Sequence, residues 1–110
     1  MARFVRGDVV VVPFPFSDLS QAKRRPALVL ANLQGDDIIL VQITSQAISD
    51  WYSVPLSDDD FLSGKLNRSS NIRPNRIFTA DSAIIRYKIG SIQPKKLGET
   101  IAKVIEILSA

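Results

Sequence analysis

The sequence predicts a mainly β fold with helices (α+β), in the form of a small barrel of strongly curved antiparallel strands with a packed C-terminal helix. Two observations carry this. Apolar runs of strand length over 9–16, 26–32 and 37–44 are separated by turn residues, and the apolar period changes from strand to helix only after Pro94. With 110 residues and 45% apolar content, the chain has material for one compact core and not for two, so 1–110 reads as a single domain.

The first run, 9–16, is apolar on both faces, as in a barrel wall. Pro13 and Pro15 remove N–H donors from the same side, which makes this end an edge or takes it out of the sheet. Residues 17–21 have turn chemistry. Lys23, Arg24 and Arg25 then stand in front of a strand over 26–32, and Pro26 restricts Arg25 to an extended backbone. The Arg25 guanidinium is thereby expected at the rim of a core rather than on a free loop. Residues 33–36, with Gly35, form a tight connection to a strand over 37–44, making a β-hairpin. A fourth strand is expected over 52–56. Residues 58–64 read as a polar connection with one helical turn capped by Ser57. Extended segments follow over 68–73, 76–79 and 84–92. From Pro94, Leu97, Ile101, Val104, Ile105 and Leu108 form an apolar helical stripe assigned to the core, with Glu99 and Lys103 as a helical ion pair.

Fourteen Lys and Arg against eleven Asp and Glu give a net charge of +3, which permits a polyanionic partner. The cations collect around residues 23–25, 65–76, 86–88 and 95–96, while Asp58, Asp59 and Asp60 read as a solvated turn. Without cysteine or histidine there are no disulfides, no thiolate metal sites and no imidazole ligands for zinc. No basic-then-apolar segment opens the chain and no apolar run approaches the roughly twenty residues of a membrane span. A cytoplasmic protein with no membrane association is the expectation.

Three blocks carry a family signature. They are Gly7, Asp8 and Val9 through Phe16 with Arg24-Arg25-Pro26-Ala27-Leu28-Val29; then Gln42-Ile43-Thr44-Ser45; and then Ile72-Arg73-Pro74-Asn75-Arg76-Ile77-Phe78-Thr79 with Lys88-Ile89-Gly90-Ser91-Ile92. In this order they resemble the PemK/MazF family of toxin endoribonucleases. The resemblance implies an SH3-like barrel and a homodimeric, metal-independent, cofactor-free enzyme that cuts single-stranded RNA at a short sequence. It also implies a cognate antitoxin that wraps the toxin with an acidic disordered segment, and operator DNA bound only through the antitoxin complex. Carried over by position, Arg25 and Thr44 are the catalytic candidates. Arg24, Ser45, Arg73, Asn75 and Arg76 are the candidate RNA contacts.

The chemistry has its own logic. RNA supplies a nucleophile, the 2′-hydroxyl, beside the scissile phosphorus, so alignment replaces a bimolecular encounter. A fixed guanidinium donates two hydrogen bonds to the oxygens on which charge grows, and the Thr44 hydroxyl donates to the same phosphate or orients the 2′-oxygen. With no histidine, a pair of imidazoles cannot move the protons. One branch of the family has an aspartate where this chain has Asn75, which cannot titrate, and Asp18 is a conceivable substitute.

Other readings of the same residues remain open. Arg25 could be a strand-end cation balanced by Asp18 or Asp8, and Trp51-Tyr52 either a base-stacking platform or core or dimer packing. The outer edge of the helical stripe could serve a dimer. Two further functions stand beside the ribonuclease. One is a gyrase-poisoning toxin on the same fold, although such poisons carry a tryptophan near the C-terminus where this chain ends Glu106-Ile107-Leu108-Ser109-Ala110. The other is an inactive member that binds RNA or antitoxin. Any RNA sequence preference is expected in loops such as 17–23 and 45–51.

Overall fold

Alternating apolar side chains on both faces of β1 (Asp8–Phe14), β2 (Lys23–Asn32) and β3 (Asp37–Thr44) make a three-stranded antiparallel meander the centre of the molecule. The computed structural model describes residues 4–14 and 23–110. Pro15, Phe16, the turn at 17–21 and Asp18 lie outside them. Around the meander, β4 (Val54–Leu56), β5 (Phe61–Ser63), β6 (Ser70–Asp81) and β7 (Tyr87–Ile92) complete a seven-stranded sheet in the order β4-β6-β3-β2-β1-β7-β5. Helix α1 (Pro94–Leu108) follows. The edge strands β4 and β5 are joined only by residues 57–60, so the sheet must curl until its two edges are neighbours. The result is a curled antiparallel half-barrel with a C-terminal helix packed against it.

The sheet buries both faces. Val9, Leu28, Leu30, Val41, Ile43 and Ile72 face one side, where Leu97, Ile101 and Val104 of α1 pack against them. On the other face Val10, Val12, Ala27, Val29, Ile38 and Leu40 form a second layer, with Phe14 edge-on to Phe78 at 4.9 Å between ring centres. The hairpin expected at 33–36 is present: Leu33 N–H donates to the Asp37 carbonyl at 2.9 Å, and Gly35 takes φ +72°, a conformation open to glycine.

Several expectations change. Lys23, Arg24 and Arg25 lie inside β2 rather than ahead of it, because β1 extends far enough to pair Val12 with Arg25 and Phe14 with Lys23. The expected segments meet in one strand, β6, which takes in residues 70–73 and 76–79 but not 68–69, and whose register on β3 jumps from Val41↔Ile77 to Gln42↔Arg73 and leaves Pro74, Asn75 and Arg76 bulged. Pro74 has no N–H to continue the ladder. The polar connection at 58–64 contains a strand, β5, which pairs with β7 through Phe61↔Ile92 and Ser63↔Ser91. Three residues are too few to show a period. Ile105 and Leu108 are 60% and 74% exposed rather than core, since the face of α1 that meets the sheet carries Leu97, Ile101 and Val104. Glu99 pairs with Lys96 at 3.3 Å, while Lys103 approaches Glu106 at 4.0 Å.

The acids at 58–60 do more than meet solvent. The Asp60 carboxylate accepts from Ser57 N–H at 2.8 Å and faces Lys96 Nζ at 3.7 Å, and the Gln93 N–H donates to the Asp60 carbonyl at 2.8 Å. They tie the turn between the sheet edges to the start of α1. No helix among the described residues is long and apolar enough to cross a membrane.

Asp8 is nearly fully buried; it accepts from Val5 N–H at 3.0 Å and faces Lys88 Nζ at 3.2 Å. It therefore balances Lys88 and not Arg25. Removing the carboxylate takes the acceptor from Val5 N–H and the ion-pair partner from Lys88, so Asp8→Ala is expected to lose about 1–2 kcal/mol of stability in chemical denaturation. A midpoint unchanged from wild type would show that the pair is dispensable.

Candidate active site

Where the second core layer runs out towards the end of the sheet, apolar side chains give way to polar ones. Side chains two apart on a strand share a face, so Gln42 and Thr44 continue the row Ile38, Leu40 on β3, and Arg25 continues the row Val29, Ala27 on β2. Arg86 N–H donates to the Val11 carbonyl at 2.8 Å, so Val11 uses its backbone groups towards β7 and its partner Pro26 turns towards β3. Pro26 has no N–H to offer, and the β2–β3 ladder stops beside it at Ala27↔Gln42. Beyond that point a cavity of about 320 Å³ opens, lined by Phe14, Arg25, Gln42, Thr44, Gln46, Ile48, Arg73 and Arg76.

Its cations come from separate strands. Arg25 is half-buried on β2, opposite Val12, and makes no ion pair among the described residues. Arg73 comes across from β6, where it pairs with Gln42, and its neighbours fix it: Nε donates to Asn75 Oδ1 at 3.3 Å and a terminal nitrogen lies 3.4 Å from Asp50. Asp50 is in turn held by Ser53 N–H at 2.8 Å. The bulge brings Arg76 to the cavity and leaves it exposed. The Thr44 hydroxyl oxygen accepts from Gln46 N–H at 3.2 Å, which leaves its proton to donate. Anion recognition is what this lining can do: guanidinium groups and a hydroxyl donor converge, and no carboxylate or imidazole is among the described lining residues.

Of the candidates read from sequence, Arg25, Thr44, Arg73 and Arg76 line this one cavity. Arg24 is exposed on the opposite face of β2, and Ser45 is exposed one residue past β3; neither lines it. Asn75 is exposed in the bulge, where it braces Arg73. Trp51 and Tyr52 also lie outside the lining; Trp51 is 56% exposed, edge-on to Tyr52, with Lys103 Nζ 5.4 Å from its ring centre. Sequence reasoning missed Phe14, Gln42, Gln46 and Ile48. For Gln42 the signal was available, since it stands two residues before Thr44 on the same face of a strand.

A model of the PemK-like, MazF-like toxins of type II toxin-antitoxin systems matches residues 5–108. The chain belongs to that family. Comparison with curated protein sequences gave no significant match. Among solved structures the PemK/MazF-like chain is similar to an endoribonuclease from a mycobacterial species, with TM-score 0.76 and 17% identity over 99% of this chain and 94% of the other. It is also similar to MazF from Deinococcus radiodurans, with TM-score 0.74 and 23% identity over 97% of each chain. A mycobacterial endoribonuclease solved in complex with its cognate antitoxin gives TM-score 0.77 and 14% identity, covering 96% of this chain and 95% of that one. At these identities the likeness establishes the fold.

Proposed function

We propose that this PemK/MazF-like toxin is an endoribonuclease that cuts single-stranded RNA by attack of the substrate's own 2′-hydroxyl. The observation that carries the reading is the convergence of Arg25, Arg73, Arg76 and Thr44 on one cavity at the point where Pro26 ends a ladder. In the proposed reaction the 2′-oxygen forms a bond to phosphorus, the bond from phosphorus to the 5′-oxygen breaks, and the leaving oxygen takes a proton to become a 5′-hydroxyl. The other product is a 2′,3′-cyclic phosphate. Arg25 stabilises the charge on the non-bridging oxygens, and Thr44 donates its free proton to the same group. Arg73, immobilised by Asp50 and Asn75, holds the strand through a neighbouring phosphate together with Arg76. The 2′-hydroxyl proton leaves to water or a phosphate oxygen, a route that asks nothing of Asn75. No metal or cofactor takes part in this scheme.

The same reading makes residues 1–110 one toxin domain that acts in the cytoplasm as a homodimer. A cognate antitoxin with an acidic segment would compete with RNA for the cationic cavity, and operator DNA would be reached only through that complex. Antitoxin complexes of the mycobacterial and Deinococcus proteins support this pairing.

The purified chain is expected to cleave single-stranded RNA, and not the same sequence as single-stranded DNA, which lacks the nucleophile. Binding should weaken with salt by about 0.7 log units per log unit of salt for each phosphate contacted. Equal cleavage of RNA and DNA, or salt-independent binding, would contradict the reading.

A further inference from the structure

Among the described residues, the side-chain oxygen of Gln42 is a buried polar atom without a hydrogen-bond partner. Leaving such an atom unpaired is costly, and folded proteins rarely do so. Gln42 is held from both sides, by Ala27 on β2 and Arg73 on β6, so its position is fixed by the sheet. It lines the cavity with Arg25 and Thr44. The orphan is an acceptor, and phosphate oxygens are acceptors too, so the anion that suits the arginines cannot satisfy it. A ligand for this oxygen must bring an N–H or O–H.

An RNA strand carries such donors on its base edges and its ribose hydroxyls. The position of Gln42 distinguishes them. Along β3 it lies one step further towards the core than Thr44, next to the buried Leu40, and the wall beside it includes Phe14 and Ile48. The sugar is tethered to the phosphate and stays with the cations, whereas a base can reach inward against the apolar wall. A volume of about 320 Å³ is at the lower end of what small-molecule sites occupy.

We propose that Gln42 is a specificity-determining residue, whose Oε1 accepts an N–H from the edge of the nucleobase adjoining the phosphate held by Arg25. The inference rests on the ribonuclease reading and deepens it. It makes base choice at one position a property of the strand floor.

The test compares wild type with Gln42→Met, which keeps the length of the side chain and removes the acceptor, on a randomised single-stranded RNA pool with cleavage sites mapped. The folded variant is expected to lose about ten- to hundredfold of its preference for one base at one position while still cutting the pool. A second arm needs no substitution. When the preferred base is replaced in a defined RNA by an analogue lacking its N–H donor, wild type should lose a similar factor and Gln42→Met should not distinguish the two substrates. Unchanged preference in the variant, or an equal loss of rate on every sequence and on the analogue, overturns the proposal. Failure of wild type to cut any RNA in the pool would overturn the ribonuclease reading and this inference with it.

Discussion

Arg25→Ala is expected to lower the cleavage rate about a hundred- to thousandfold, the usual cost of removing a preorganised donor from a site of developing charge. Folding should survive. Arg25 makes no ion pair among the described residues and is half-buried, so its loss breaks no buried pair and leaves the β1–β2 ladder in place. Its effect is read as kcat on a defined RNA, alongside thermal unfolding to show the fold intact. Arg25→Lys should recover only part of the rate, because an ammonium keeps the charge but cannot present two parallel hydrogen bonds to one phosphate. A folded Arg25→Ala protein that cleaves near the wild-type rate would remove Arg25 from the chemistry.

A large effect on stability is expected at Gly90. It faces Val9 of β1 at the register shift that leaves Ile89 bulged, while β5 presses against it from the other side. A Cβ there would run into the Ser63 carbonyl oxygen and stand 2.9 Å from the Gly64 Cα, both backbone atoms that cannot rotate away. Gly90→Ala is therefore expected to destabilise by about 2–3 kcal/mol, at the upper end of ordinary overpacking, through the β5–β7 edge. Gly98 provides the opposite sign. It lies within α1 with nothing within 4 Å of an added Cβ, so Gly98→Ala should stabilise by about 0.5–1 kcal/mol. Urea unfolding of both variants checks the pair, and equal behaviour would contradict the packing described for Gly90.

Much of the fold was legible because its signals are local. The runs that became β1, β2 and β3, the Gly35 hairpin and the apolar stripe of α1 each show their period within a few residues. What was not legible depends on distant partners. β5 is three residues long and exists because β7 pairs with it, and the two extended segments merged as β6 because β3 runs beside both. Ile105 and Leu108 fit the helical period yet stay exposed, since the width of the buried stripe is set by the sheet it meets.

The cavity follows the same division. Arg25 and Thr44 could be singled out from the blocks around them, but the pairing of Gln42 with Arg73 and the bulge that brings Arg76 to the cavity are matters of register. Asn75 is instructive. From sequence it stood where a carboxylate would act, whereas its amide oxygen here accepts from Arg73 and fixes that guanidinium.

The central claim is that the ribose attacks its own backbone in front of the Arg25 guanidinium. The most direct measurement identifies the ends left on a defined single-stranded RNA cut by the purified protein in excess EDTA. The account predicts continued cleavage with 5′-hydroxyl and 2′,3′-cyclic phosphate ends, whereas 5′-phosphate and 3′-hydroxyl ends, or activity lost to EDTA and restored by Mg²⁺, would contradict it.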